Sequence, residues 1–378
     1  MKTVYLDNAA TTPMDVEVIK VMQESMLTNF GNPSSTHQFG RKAKAVIETA
    51  RKNIAKHFNV SSSEIIFTSS GTEANNLILY NAVLNLGVKR IITSKIEHHA
   101  VLHVVYYLQE TYNIKVDFVN LNELGEVDLQ DLEDKLTLSA EKTLVSLMMI
   151  NNEIGNILPI DKISSLCKSN NALFHSDTVQ AIGHYIIDLQ KNPIDFITAS
   201  AHKFHGPKGV GFAYFNKQHT VKPMLHGGNQ EKGVRSSTEN VHAILGMEKA
   251  LKIAYTNLTK DLQQITEVKT YFINKLLDVN SQIAFNGLSS QLDKSSYTIL
   301  NVRLPLKNNM LLFNLDLMGI AVSGGSACQS GSSKGSHVLT AILNEVEAKK
   351  TSVRFSFSKF TTKQDVDYAL QKISSFLF

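Results

Sequence analysis

Asp195-Phe-Ile-Thr-Ala-Ser-Ala-His-Lys-Phe-His-Gly-Pro-Lys-Gly-Val-Gly-Phe212 is the stretch on which the fold turns. An apolar strand over 196–199 ends in Ser200-Ala201-His202-Lys203, a Gly/Pro turn follows, and a second strand begins at Val210. Outward from it, residues 65–68, 90–93, 115–119, 143–147, 172–175 and 210–214 read as further short apolar strands. Helical stretches, such as 73–86 and 101–110, lie between most of them. Strands interleaved with helices predict an α/β fold whose mostly parallel central sheet is covered on both faces. A long helical pattern over 239–277 then leads away. Beyond it, strands over 296–302, 321–322 and 352–357 and helices near 309–318 and 365–378 predict a smaller C-terminal α/β domain. The expected division is a large domain over 15–255 and a small domain made of 1–14 with 256–378.

Composition narrows the function. The 378 residues are 43% hydrophobic and 19% charged, enough to bury a large core and too apolar for a disordered chain. The net charge of +4 is spread along the chain without a dense basic block, so direct nucleic-acid binding is not expected. The start MKTVYLDNAATTP has no apolar leader core, and no apolar run is long enough for a membrane span, which predicts a cytoplasmic protein. With two cysteines, Cys167 and Cys328, neither a disulfide framework nor a four-cysteine zinc site can form.

Three segments carry candidate chemistry. Lys203 stands on a tight turn at a strand end, flanked by Ser200 and His202 as phosphate donors and by small residues that leave room for a bulky group. A lysine there can form a Schiff base where its surroundings lower its pKa, whereas most lysines on hairpins are plain surface residues. Asp177 ends the preceding strand in His175-Ser-Asp-Thr-Val-Gln-Ala. A buried acid calls for a cation such as a protonated ring nitrogen, and a helix N-cap is its alternative. Ser69-Ser-Gly-Thr-Glu-Ala-Asn-Asn joins a strand to a helix, so Gly71 and Thr72 can offer a phosphate N–H groups and a hydroxyl, although most capped turns of this kind bind nothing.

Cys328 lies in Ser323-Gly-Gly-Ser-Ala-Cys-Gln-Ser-Gly-Ser-Ser-Lys-Gly-Ser, which has no side chains for a core. A thiol on such a loop is placed for reaction, whereas Cys167, in a helical stretch, reads as packing.

Together these segments resemble the cysteine desulfurases of the NifS/IscS type, in the class V aminotransferase group of fold-type I pyridoxal-phosphate enzymes. The likeness runs from Tyr5-Leu-Asp-Asn-Ala-Ala-Thr-Thr-Pro13 to Arg354-Phe-Ser-Phe-Ser-Lys-Phe-Thr-Thr362, through Gly31-Asn-Pro-Ser-Ser, Glu97-His-His-Ala-Val, Asn151-Asn-Glu-Ile-Gly, His226-Gly-Gly and Ser326-Ala-Cys. It implies pyridoxal 5'-phosphate as cofactor and Lys203 as its Schiff-base lysine. His98 would stack on the ring and aid proton transfer, Asp177 would pair with the ring nitrogen, and Gln180 would bond the phenolic oxygen. Thr72, Ser200 and His202 would bind the phosphate, and Thr238 would reach the phosphate of a partner subunit, which implies a homodimer. Asn152 and Arg354 would hold the carboxylate of L-cysteine. The chain departs from the family's usual Arg-Ser-Gly-Thr at Ser237, which bears on the local backbone, and at Gly324, where a second serine is frequent.

The expected reaction takes sulfur from cysteine as a Cys328 persulfide, releases alanine, and passes the sulfur to an acceptor or scaffold protein. Iron–sulfur cluster assembly and tRNA thiolation are both open as its destination. A selenocysteine lyase and a small-amino-acid aminotransferase are the nearest rivals, although the latter has no need of a cysteine on a Gly/Ser loop. A catalytically silent regulator predicts a disrupted site, and Lys203, Asp177, His98, Cys328 and Arg354 are all present.

Overall fold

The computed structural model describes residues 2–325 and 335–376, so Cys328 lies outside the described residues. In chain order the elements are β1 (Val4–Tyr5), α1 (Val16–Thr28), α2 (Gln38–His57), β2 (Ile65–Thr68), α3 (Gly71–Leu84), β3 (Arg90–Thr93), α4 (His99–Tyr112), β4 (Lys115–Phe118), α5 (Leu129–Thr137), β5 (Thr143–Ser146), α6 (Ile160–Ser169), β6 (Leu173–Asp177), β7 (Phe196–Ser200) and β8 (Gly211–Phe215). They continue with α7 (Val241–Thr256), α8 (Leu258–Val279), β9 (Ala284–Phe285), β10 (Ile299–Arg303), α9 (Leu311–Leu317), β11 (Ile320–Ala321), α10 (His337–Ile342), α11 (Glu345–Ala348), β12 (Ser352–Ser356) and α12 (Lys363–Ser374).

Seven strands form the main sheet in the order β2-β8-β7-β6-β5-β3-β4. β8 runs against both its neighbours, and the other strands run parallel. Adjacent residues on one strand enter opposite cores: Leu144 and Phe196 pack on one side, Val145 and Ile197 on the other. Because side chains alternate along a strand, this places apolar layers on both faces of the sheet, as a parallel sheet requires. Burying each such side chain contributes about 1.5–3 kcal/mol.

The carboxyl ends of the parallel strands all open on one edge, where α/β sheets bind ligands. β2 runs into Ser69–Thr72 there, β5 into Met148–Asn152, β6 ends at Asp177 and β7 at Ser200.

A second sheet, β12-β10-β9, is antiparallel, and β1 pairs in parallel with β11. Val4 and Leu6 share a core with Phe272 and Leu276 of α8, Val302, Phe355 and Ile373. Phe272 meets Phe355 edge to face, with ring centroids 4.8 Å apart.

The structure corrects two expectations. The helical pattern over 239–277 is two helices, because Asn257 leaves the helical region at φ −101° and ψ 6°. Its own amide donates to the Ile253 carbonyl at 3.1 Å, competing with the helix ladder as asparagine does. The strand expected from Ser296 starts at Ile299, since Ser296 and Thr298 hydroxyls bond each other at 2.8 Å in a turn. No helix among the described residues is long and apolar enough to cross a membrane.

Candidate active site

A cavity of about 180 Å³ opens at the carboxyl edge of the main sheet. Its lining brings together Gly71, Thr72, His98, Asn152, Asp177, Gln180, Ser200, His202, Lys203 and Arg354, residues scattered over most of the sequence. Of the expected site residues in the described chain, Thr238 is absent from this lining and is exposed.

Lys203 closes the single helical turn Ala201–Lys203 after β7. Its Nζ donates to the carbonyls of Ala9 and Ala10, at 2.6 and 3.0 Å, so the amine is aimed at the cavity wall rather than at bulk solvent. Asp177 is 5% exposed. One of its oxygens accepts from Asn75 Nδ2 at 2.7 Å, the other from the Val179 N–H at 3.0 Å. The second contact closes a turn rather than the helix N-cap set out as its alternative role, since no helix lies between β6 and β7 among the described residues, and the carboxylate lines the cavity, where a cationic ring nitrogen suits it.

Ser70, not Thr72, caps α3, accepting from the Glu73 N–H at 3.2 Å. Thr72 thereby keeps its hydroxyl, and the Gly71 and Thr72 N–H groups stand in the first turn, before intrahelical bonding begins. A Cβ on Gly71 would come within 2.6 Å of Val179, so only glycine lets the helix start approach the turn after β6. The positive end of the helix dipole then favours an anion at this place.

His98 caps α4, its Nδ1 accepting from the Ala100 N–H at 3.1 Å. That bond puts the proton of the neutral ring on Nε2. Burial pushes the His98 pKa down, with Asp177 pulling the other way. His202 shares a hydrogen bond with Thr11 at 3.1 Å, and burial, then Lys203 and Lys208, lower its pKa to about 4. Gln180 donates its amide to the Ala9 carbonyl at 2.9 Å.

On the opposite wall Arg354 is 1% exposed. Its guanidinium reaches Asp7 Oδ1 and the Asn152 carbonyl, each at 2.8 Å, while its buried Nε has no hydrogen-bond partner among the described residues. A buried guanidinium with a spare donor is suited to an incoming carboxylate. Cys167 is buried in α6, and burial pushes its thiol pKa up, as a packing residue should show.

Sequence reasoning missed Asn75, Asp7 and the Ala9 and Ala10 carbonyls as parts of the site. Their signals stood inside quoted blocks, the Asn75-Asn76 pair and the Asp-Asn-Ala-Ala run, but nothing local says that residue 9 meets residue 203.

A lysine, a buried aspartate and a helix start converging at the carboxyl edge of a mostly parallel sheet define an α/β enzyme site for an anionic ring cofactor. The model of the class-V aminotransferase family matches residues 4–369, and the chain belongs to that family, whose enzymes depend on pyridoxal phosphate. It is 41% identical over 374 residues to the cysteine desulfurase IscS of Dictyoglomus turgidum, covering 98% of this chain and 93% of that protein. Among solved structures, a NifS-like protein superposes with a TM-score of 0.90 at 36% identity, covering 100% of this chain and 99% of its own. SspA in complex with cysteine superposes with a TM-score of 0.80 at 30% identity, over 95% of this chain and 100% of that one.

The residues present fit pyridoxal phosphate. Asp177 offers an anion to a ring nitrogen, α3 a helix start to a phosphate, and Lys203 an amine within the same cavity.

Proposed function

We propose that this protein is a cysteine desulfurase, converting L-cysteine to L-alanine and a persulfide on Cys328. The observation that carries the proposal is the meeting of Lys203, Asp177 and His98 with Asn152 and Arg354 in one cavity. The first three suit an amine-bound ring, the last two an amino-acid carboxylate.

Pyridoxal phosphate, when bound, supplies an electron sink for the charge that develops at the substrate α-carbon. Thr72, Ser200 and His202 hold its phosphate, Gln180 its phenolic oxygen and Asp177 its ring nitrogen. Lys203 would anchor the group through its amine, and the same amine, when free, would serve as the base for the substrate α-proton. His98 would stand beside the ring, with its Nε2 facing the task of giving or taking a proton. Arg354 and Asn152 orient the carboxylate. The Cys328 thiolate then attacks the substrate sulfur: an S–S bond forms, the substrate C–S bond breaks, and its electrons stay with carbon, which is protonated to alanine.

The sulfur then passes to an acceptor or scaffold protein, for iron–sulfur cluster assembly or tRNA thiolation, in the cytoplasm. Thr238 lies outside its own cavity, as the role of reaching a partner's phosphate requires, and exposed Val16, Ile19, Leu27 and Phe30 offer a homodimer an apolar face. The division into 15–255 and 1–14 with 256–378 is supported by the pairing of β1 with β11 and by the core that Val4 and Leu6 share with α8.

The test is to incubate the purified holoenzyme with L-cysteine, map persulfide by mass spectrometry and quantify alanine and sulfide. Cys328→Ser should keep the yellow cofactor and stop sulfide release. Full release by that variant would refute the role of Cys328, and keto-acid formation in place of alanine would refute desulfuration.

A further inference from the structure

Glu153 is a fully buried carboxylate with no part in the chemistry above. Its Oε2 accepts the Ser336 hydroxyl at 2.5 Å. Ser336 uses the same oxygen to cap α10, accepting from the Leu339 N–H at 3.0 Å. On the other side stands Gly325, with φ +159°, so close that a Cβ there would lie 3.3 Å from both Glu153 Oε2 and the Ser336 Cβ. Gly325 and Ser336 are the two feet of the segment that carries Cys328, and they meet at this one carboxylate.

The clamp is built into the site. Glu153 follows Asn152, whose carbonyl takes Arg354. A second tie holds the same foot: His337 Nε2 donates to the carbonyl of Glu97, the residue before His98, at 2.9 Å. The C-terminal foot is thus fixed to the neighbours of a substrate-side residue and of the ring-side histidine. Cys328 follows Gly325 by three positions, and the chain spans at most about 3.5 Å per residue, so the place of that foot bounds the reach of the thiol.

Stability does not explain this arrangement. Glu153 Oε1 is buried with no hydrogen-bond partner among the described residues, and an unpaired buried acceptor costs stability.

We propose that Glu153 is a positioning residue that gathers both feet of the Cys328 segment and sets the distance over which the thiol meets the substrate sulfur. The proposal rests on the reading of Cys328 as the sulfur acceptor.

Two measurements test it on the holoenzyme. The first is the single-turnover rate of Cys328 persulfide formation with L-cysteine. Ser336→Ala and Glu153→Ala should each slow it about tenfold, with cofactor absorbance and the KM for cysteine within about twofold of the parent. Glu153→Gln, which keeps an acceptor for Ser336, should recover most of the rate, and the double alanine variant should be no slower than the slower single one. The second measurement is the rate of Cys328 alkylation by iodoacetamide, read by peptide mass spectrometry, which should change severalfold in Ser336→Ala. It needs no turnover, so it tests the clamp even if the parent forms no persulfide, an outcome that would refute only the desulfurase reading. If Glu153→Ala does not fold, Ser336→Ala carries both tests. Parent-like persulfide and alkylation rates in Ser336→Ala, or a loss that tracks cofactor occupancy, would overturn the proposal.

Discussion

The two walls of the cavity are built differently. The ring-side wall comes from short turns at the carboxyl ends of one sheet: Gly71 and Thr72 after β2, His98 after β3, Asp177 at the end of β6 and Lys203 after β7. Each turn is set by its own strand. The substrate-side wall is made by chain ends meeting: Arg354 on β12 binds Asp7 near the N-terminus and the Asn152 carbonyl after β5. Strand ends in a packed sheet hold a rigid cofactor in one place. Contacts between distant segments can shift together, as binding a small substrate and admitting a thiol require.

The largest effect expected breaks the ring side. Lys203→Ala removes the residue proposed as both anchor and base, so cysteine turnover should fall by at least about a thousandfold, with the visible absorbance of the attached cofactor lost. Retained turnover with retained absorbance would mean that another amine does this work.

Next comes the substrate side. Arg354→Lys keeps a charge near Asp7 but loses the planar fork that reaches Asp7 and Asn152 and still has Nε to offer. We expect a loss of about 2 kcal/mol in transition-state binding, roughly 30-fold in kcat/KM and mostly in KM, with cofactor absorbance intact. A loss of absorbance together with kcat would show that the two walls are not separable.

A smaller effect lies behind the substrate-side wall. Lys269 of α8 is buried, donating to Ser295 Oγ at 3.1 Å and the Ser296 carbonyl at 2.7 Å, and burial lowers its pKa to about 7. The unfolded amine titrates near 10.4. The folded state therefore favours the neutral amine, and this contribution is fully present above pH ~10.4 and lost as the pH falls towards 7. Lys269→Met should raise stability at pH 7 by about 1–2 kcal/mol and by less at pH 9, in denaturant titrations. An equal gain at both pH values would show that the lysine stays charged in the fold.

The same contrast governs what was legible in the sequence. The strand series, the lysine turn and Asp177 could be read because period and punctuation are local properties. Asn75 as the partner of Asp177, and Ala9 and Ala10 as the acceptors of Lys203, could not, because those contacts depend on how separate strands line up. The helical pattern over 239–277 misled because one asparagine costs little in pattern yet ends a helix by bonding the Ile253 carbonyl one turn back. Helices α1 and α2 were not singled out, since no chemistry marks them. The contact of Glu153 with Ser336 beside Gly325 was hidden for a further reason: the three residues are far apart in the chain, and no local pattern pairs them.

The smallest effect concerns the segment between the cavity and the exposed face that carries Thr238. Where the family usually has glycine, Ser237 holds φ +148°, a backbone region almost reserved for glycine. The serine at this position therefore loads the loop with backbone strain. The neighbouring residues explain why the shape persists. Arg235 forms a two-point ion pair with Glu73 of α3, at 2.7 and 3.0 Å, and Ser236 bonds the Gly228 carbonyl at 2.8 Å. Ser237→Gly should relieve about 1 kcal/mol of strain, part of it offset by the greater freedom glycine gives the unfolded chain. The expected result is a midpoint in thermal unfolding higher by a degree or two, with turnover unchanged. A lower midpoint would show that the serine hydroxyl, not the backbone, is what the position uses.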